Sequence, residues 1–217
     1  MPSTQEMLDA LANLAGRLWP IAFAFHVAIA LGAGALALGL YRPSRRGVAF
    51  ACAAPLVSVS ACALAGGNAV NGVVFAATAV ALTHLADRVP EGQAPARTGP
   101  TWAASIGAAS LALGLFYPHF LAGRPAYVYV FAAPFAVLPC PTLLAVVGAT
   151  LLAGGLSRAF SMVVGGLGAV YGLVGALALG VRLDLALFGA SIAAIVLAAA
   201  PSPGRAAATA RHRLRRA

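Results

Sequence analysis

Long apolar stretches with almost no charge inside them are the feature that most constrains this chain. Seven can be marked, at roughly 21–40, 48–65, 68–85, 101–122, 127–156, 159–181 and 183–200. Only 9% of residues are charged and 61% are apolar, whereas soluble domains carry about 25% charged residues. Too little polar surface remains to face water, so lipid is the solvent that suits the chain. The stretches do not alternate polar and apolar positions, which excludes a transmembrane β-barrel. The sequence therefore predicts an all-α fold, a polytopic transmembrane helix bundle of about seven spans.

Six stretches fit the ~17–25 residues of a single span. The stretch 127–156 is too long for one span and too short for two, and it contains Pro134, Pro139 and Pro141. Proline removes an intrahelical hydrogen bond and clashes with the preceding turn. The reading here is a short half-helix, a break near Leu138-Pro139-Cys140-Pro141, and a second short helix from Pro141. Upstream of the first span, Ser3-Thr4-Gln5-Glu6 is a capping-box pattern. Met7, Leu8, Leu11, Leu14 and Leu18 follow at helical spacing. Residues 1–20 form either a separate interfacial helix, the reading taken here, or an extension of the first span. The transmembrane domain is 21–200, followed by a basic tail, 201–217.

All fourteen bases are Arg, and the net charge is +9. Five of them (Arg205, Arg211, Arg213, Arg215, Arg216) crowd the tail, and most others flank spans, so the charge reads as topology and not as a nucleic-acid groove. With seven spans, eleven Arg fall on one side and three (Arg17, Arg124, Arg182) on the other. The N-terminus is then outside and the tail cytoplasmic. Glu6 and Asp9 precede the first base, which does not suit a cleavable signal peptide. Cys52, Cys62 and Cys140 lie in apolar surroundings, unlike a secreted disulfide framework.

Of the five acids, Glu6, Asp9, Asp87, Glu91 and Asp184, none reads as lying mid-span. A proton- or sodium-coupled carrier normally needs a buried carboxylate, so this pattern argues against one. No Arg ladder suggests a voltage sensor, and there is no Lys for a retinal Schiff base. P-loop, HExxH, GxSxG and CxxC motifs are missing, which leaves soluble-enzyme chemistry unsupported.

Four polar groups remain as candidates. Cys140, in Pro139-Cys140-Pro141-Thr142, is placed at a helix start, where the dipole favours an anion and can promote a thiolate. A thiolate there suits a soft metal ion or redox chemistry; alternatively Cys140 simply packs beside the break. The break itself resembles the discontinuous helices that expose backbone groups at transporter substrate sites, with Thr142 beside it. His26 and His119 fall toward the outer half with Cys140. Together they make a tentative metal or haem ligand set, or each is hydrogen-bonded near the headgroup zone. Asn68 and Asn71 open the third span, either lining a polar mouth or capping the helix. Gly168 and Gly172 form a GxxxG step for intrachain packing or for self-association.

The runs Tyr117-Pro118, Leu121-Ala122-Gly123-Arg124-Pro125 and Leu138-Pro139-Cys140-Pro141-Thr142 resemble an uncharacterised bacterial integral-membrane family. Trp19-Pro20 and Arg182-Leu183-Asp184-Leu185 are also similar to it. Members tend to have a second threonine where this chain has Leu143. They also tend to carry a Trp and a Tyr-His pair where it has Val57-Ser58-Val59-Ser60-Ala61-Cys62. The resemblance implies the helix-bundle fold and a bacterial cytoplasmic membrane, and brings no activity. The leading expectation is binding or transport of a small solute or metal ion at the break. The alternatives are a redox, haem or thiol-dependent protein, and a structural subunit packed against itself or other membrane chains.

Overall fold

The computed structural model describes residues 3–89, 98–120 and 125–200. Among them are nine helices and no strand: α1 (Thr4–Arg17), α2 (Trp19–Ala37), α3 (Arg45–Ala65), α4 (Ala69–Asp87), α5 (Thr101–Phe116), α6 (Ala126–Ala132), α7 (Pro139–Leu152), α8 (Arg158–Leu177) and α9 (Asp184–Ala199). Four of these, α2, α3, α4 and α8, are long and apolar enough to cross a membrane; α5, α7 and α9 are shorter apolar helices. The basic tail, most of the 86–100 connection and Leu121–Arg124 lie outside the described residues.

Each helix start has a local cause. Ser3 caps α1 as a full capping box, accepting from the Glu6 amide while Glu6 accepts from the Ser3 amide at 2.6 Å. That amide, and then the Ser3 hydroxyl, holds the Glu6 carboxyl below its ordinary range. Leu18, at φ −102°, ψ 17°, separates α1 from α2, so the leading helix is distinct from the first apolar one. Ser44, Asn68 and Ser157 accept from Gly47, Asn71 and Phe160 to cap α3, α4 and α8. Pro139 opens α7 at a position where its missing N–H costs nothing. That is two residues before the expected start at Pro141.

The helix ends gather at two ends of the bundle. At one, Arg45 Nη2 donates to the Gly155 and Leu156 carbonyls at 2.8 and 3.0 Å, the Gly99 N–H reaches Leu152 O, and Arg46 pairs with Asp87. At the other, α1 lies over the end of α3, the start of α4 and residues 137–138, with Leu14 resting above Gly66.

The central core is built on α7, whose residues are almost all buried, with α3, α4, α5, α8 and α9 around it. Lipid tails are as apolar as the side chains, so helices associate in a membrane by close packing more than by water expulsion. Glycine supplies that closeness on two seams. Between α5 and α7, a Cβ added at Gly148 would meet the Leu111 amide nitrogen and Gly107 O, the latter at 2.7 Å. Between α8 and α9, one at Gly172 would meet Phe188 N at 2.6 Å and Asp184 O at 2.9 Å. Gly168 and Gly172 thus serve packing within the chain.

The stretch expected at 127–156 contains α6, the connection 133–138 and α7. Trp19 and Phe23 of α2 sit beside Tyr127, Phe131 and Ala132. Farther along α2, Phe25 and Ile29 meet Phe135 and Ala136. Val137 and Leu138 then come back beside Ala15 and Ala22. The connection descends along α2 and returns toward α1 before α7 starts.

Backbone met by backbone cannot yield to a side chain. Gly148→Val is expected to force α5 and α7 apart and destabilise the fold by about 1–3 kcal/mol, the usual range for overpacking. A denaturation midpoint in lipid–detergent mixtures equal to wild type would contradict the seam.

Candidate functional site

A cavity of about 510 Å³ opens beneath α1. Its walls come from Met7, Leu11, Asn13, Leu14 and Arg17 of α1; Ala63 and Gly66 at the end of α3; Asn68 and Asn71; Phe120; Val137 to Pro141; Tyr171, Val174, Gly175 and Leu179; and Asp184. Most of this lining is apolar. α1 is the outer wall: its apolar stripe faces the cavity, and Ala15 is its only buried residue.

The deepest chemistry is at Asp184, the first residue of α9, which is 1% exposed. Tyr117, just past α5 and fully buried, donates its hydroxyl to Asp184 Oδ1 at 2.5 Å. Cys140 and His119 lie close enough to the same carboxyl to act on it electrostatically. The opposite side of the carboxyl fills the space a side chain on Gly175 would occupy. Among the described residues no base forms an ion pair with Asp184. Phe120 stacks on Tyr117 with ring centres 6.2 Å apart. Tyr171 donates to Asn71 Oδ1 at 2.8 Å and packs edge-on against Phe75.

Of the six residues singled out in the sequence, Cys140, Asn68 and Asn71 line this cavity. Cys140 is the second residue of α7, half-buried, and the ionisable group beside it is an acid, Asp184. The two asparagines do both things anticipated: Asn68 caps α4 by accepting from the Asn71 amide at 3.0 Å, and both side chains reach the cavity.

The other three are elsewhere. His119 is half-buried on the far side of Asp184 and packs against Phe120. His26 faces α5 and residue 135: Nδ1 lies 2.7 Å from Ala22 O, Nε2 lies 2.9 Å from Leu115 O, and the ring packs on Phe135. A neutral ring donates to one of these two carbonyls, and neither nitrogen reaches the cavity that holds Cys140. Thr142 is fully buried and clamps the connection before α7. Its hydroxyl accepts from the Ala136 amide at 2.8 Å and donates to Leu138 O at 2.7 Å. Ala136 is held at φ 62°, a left-handed conformation unusual for alanine. Among the described residues, no three His, Cys, Asp or Glu side chains come together as a metal site.

Asp184, Tyr117 and Tyr171 are the functional candidates that the sequence reading passed over. Asp184 was counted as a span-end acid. Its burial follows from α8, where Gly165, Gly168, Gly172 and Gly175 continue the glycine series until one leaves room for a carboxyl. The sequence argument against ion-coupled carriers thereby loses its premise, because one acid is in fact buried beside the cavity.

The chain is all-helical among its described residues, with four helices of membrane-crossing length and apolarity and a cavity at one end of the bundle. It matches no protein-family model, no curated protein and no solved structure.

Two substitutions test this geometry. Thr142→Val keeps the shape but strands the Ala136 N–H, and is expected to cost about 1–3 kcal/mol, with Thr142→Ser retaining most of the stability. Tyr117→Phe removes the donor to Asp184 and is expected to cost a similar amount, about 1–3 kcal/mol. Unfolding midpoints unchanged in both variants would show that these bonds are not formed.

Proposed function

We propose that this is a multi-pass protein of the bacterial cytoplasmic membrane that binds, and in the fuller reading transports, a small solute at the cavity beneath α1. The observation that carries the reading is the cavity itself. A solute carrier built on a proline-broken helix needs a chamber open to one side that reaches the break, and this one ends on Pro139, Cys140 and Pro141. In this reading α2, α3, α4, α5, α7, α8 and α9 are seven crossings. α6 and residues 133–138 are a re-entrant excursion preceding α7, which makes that stretch the broken span. Irregular backbone at membrane depth is tolerated only where protein or a water-lined cavity satisfies it, and the Thr142 clamp on Ala136 and Leu138 supports such a role. Placing the α1 end outside and the Arg-rich tail in the cytoplasm follows the Arg count. The likeness to the uncharacterised family with the Pro-Cys-Pro-Thr break belongs to the same proposal.

The solute reading is favoured over a resident soft metal or haem because His26 is turned away from Cys140 and committed to backbone carbonyls. It is favoured over a purely structural subunit because a packing element has no need of a buried carboxyl at the wall of a cavity.

Cys140 is the only cysteine on the cavity wall; Cys52 and Cys62 are buried elsewhere. In a Cys52→Ala, Cys62→Ala background, a small membrane-impermeant thiosulfonate is expected to react with Cys140 from the outer face of right-side-out vesicles. Leu11→Trp, which fills the cavity, is expected to slow the reaction strongly. Labelling only from the cytoplasmic face, or at a rate indifferent to Leu11→Trp, would sink the proposal.

A further inference from the structure

The charge pattern inside the cavity says what kind of solute suits it. Among the described residues Asp184 is the only acid on its wall, and it is 1% exposed. The groups facing it are Tyr117 and His119 from the segment after α5, Cys140 from α7, Tyr171 from α8 and, across the cavity, Arg17 from α1. Its hydrogen-bond partner Tyr117 is a neutral donor, which orients a carboxylate without cancelling its charge. Among the described residues Arg17 is the one permanent base on the wall, and it is solvent-exposed at the end of α1 and forms no ion pair with Asp184. A charge in water is heavily screened, whereas one buried in protein acts about fourfold more strongly. Asp184 therefore weighs most in the electrostatics of the cavity floor, and a buried acid with no basic partner among the described residues is stabilised by a neutralising charge.

Around that acid the walls are apolar: Leu11, Leu14, Val174 and Leu179, with the Phe120 ring beside the floor. Aromatic faces attract cations as well as apolar bodies. Resting on the solute-binding reading above, we infer that the cavity takes a small organic cation, a protonated amine on an apolar body, with Asp184 as its counter-charge.

Three probes of one shape and different charge decide it: benzylammonium, benzyl alcohol and benzoate. Binding of each to the full-length protein in lipid nanodiscs at neutral pH is measured by equilibrium dialysis, against empty nanodiscs. Saturable benzylammonium binding is expected, at least about tenfold tighter than benzyl alcohol or benzoate. Asp184→Asn is expected to erase that preference while keeping benzyl alcohol binding, which shows that its cavity survives. Should Asp184→Asn fail to fold, the wild-type order of the three probes still decides, as does Arg17→Gln, which is expected to tighten benzylammonium binding. Binding of benzyl alcohol or benzoate as tight as benzylammonium, or an Asp184→Asn protein with the wild-type preference, would overturn the cation assignment and leave the solute cavity standing. Binding of none of the three would overturn both.

Discussion

The carboxyl of Asp184, held by Tyr117 on one side and filling the space left by Gly175 on the other, joins four parts of the bundle at one point. It stands at the start of α9, takes a hydrogen bond from the segment after α5, reaches the second residue of α7, and needs a gap in α8. Each of these depends on the glycine seams. α8 and α9 are close enough for the carboxyl to enter only because Gly172 admits the Phe188 backbone. α5 and α7 are close enough to bring Tyr117 to the same spot because Gly107, Gly114 and Gly148 let backbone meet backbone. The packing that holds a membrane bundle together and the polar group that gives it chemistry are one arrangement.

The connection before α7 shows the same economy. Residues 133–138 leave helical geometry among apolar surroundings, where an unpaired peptide group is costly. Thr142, one turn into α7, takes the Ala136 amide and gives its own proton to Leu138 O. The following helix thereby fixes the loop that leads into it, and Cys140 is presented to the cavity at a defined place. Ala136 keeps its left-handed backbone because this clamp and the packing of Phe135 against Phe25 leave little alternative.

Helix positions were legible because they depend on local signals. Ser3 with Glu6, Asn68 before α4 and Pro139 before α7 are short-range rules, and the elements begin within a few residues of where they point. The polar site was only half legible, because it depends on which helices adjoin. Cys140, Asn68 and Asn71 were found through local oddity, a proline pair or a cap. His26 looked equally odd, yet its partners are the Ala22 and Leu115 carbonyls, the second of them eighty-nine residues away. Thr142 looked like a lining residue and is a clamp. Asp184 looked like an ordinary interfacial acid, since nothing in Arg182-Leu183-Asp184 announces that a glycine of α8 will stand opposite. The α5–α7 seam was missed for a related reason: Gly107 and Gly114 are seven apart, and Gly148 completes the contact from another helix.

A magnitude bears on what the Asp184 cluster is for. An aspartate in a membrane helix costs up to about 2.5–3.5 kcal/mol at mid-span and less near the ends. A hydrogen bond between helices in lipid returns on average about 0.6 kcal/mol, and at most about 1.7. With Tyr117 donating, an acid at the first residue of a helix returns about as much as it costs, so it adds little to stability by itself. A residue kept only to hold the bundle together would not be an aspartate buried from water and without a basic partner. The carboxyl is therefore close to neutral for stability, and a cation of the kind proposed above, binding only the folded state, would add to it.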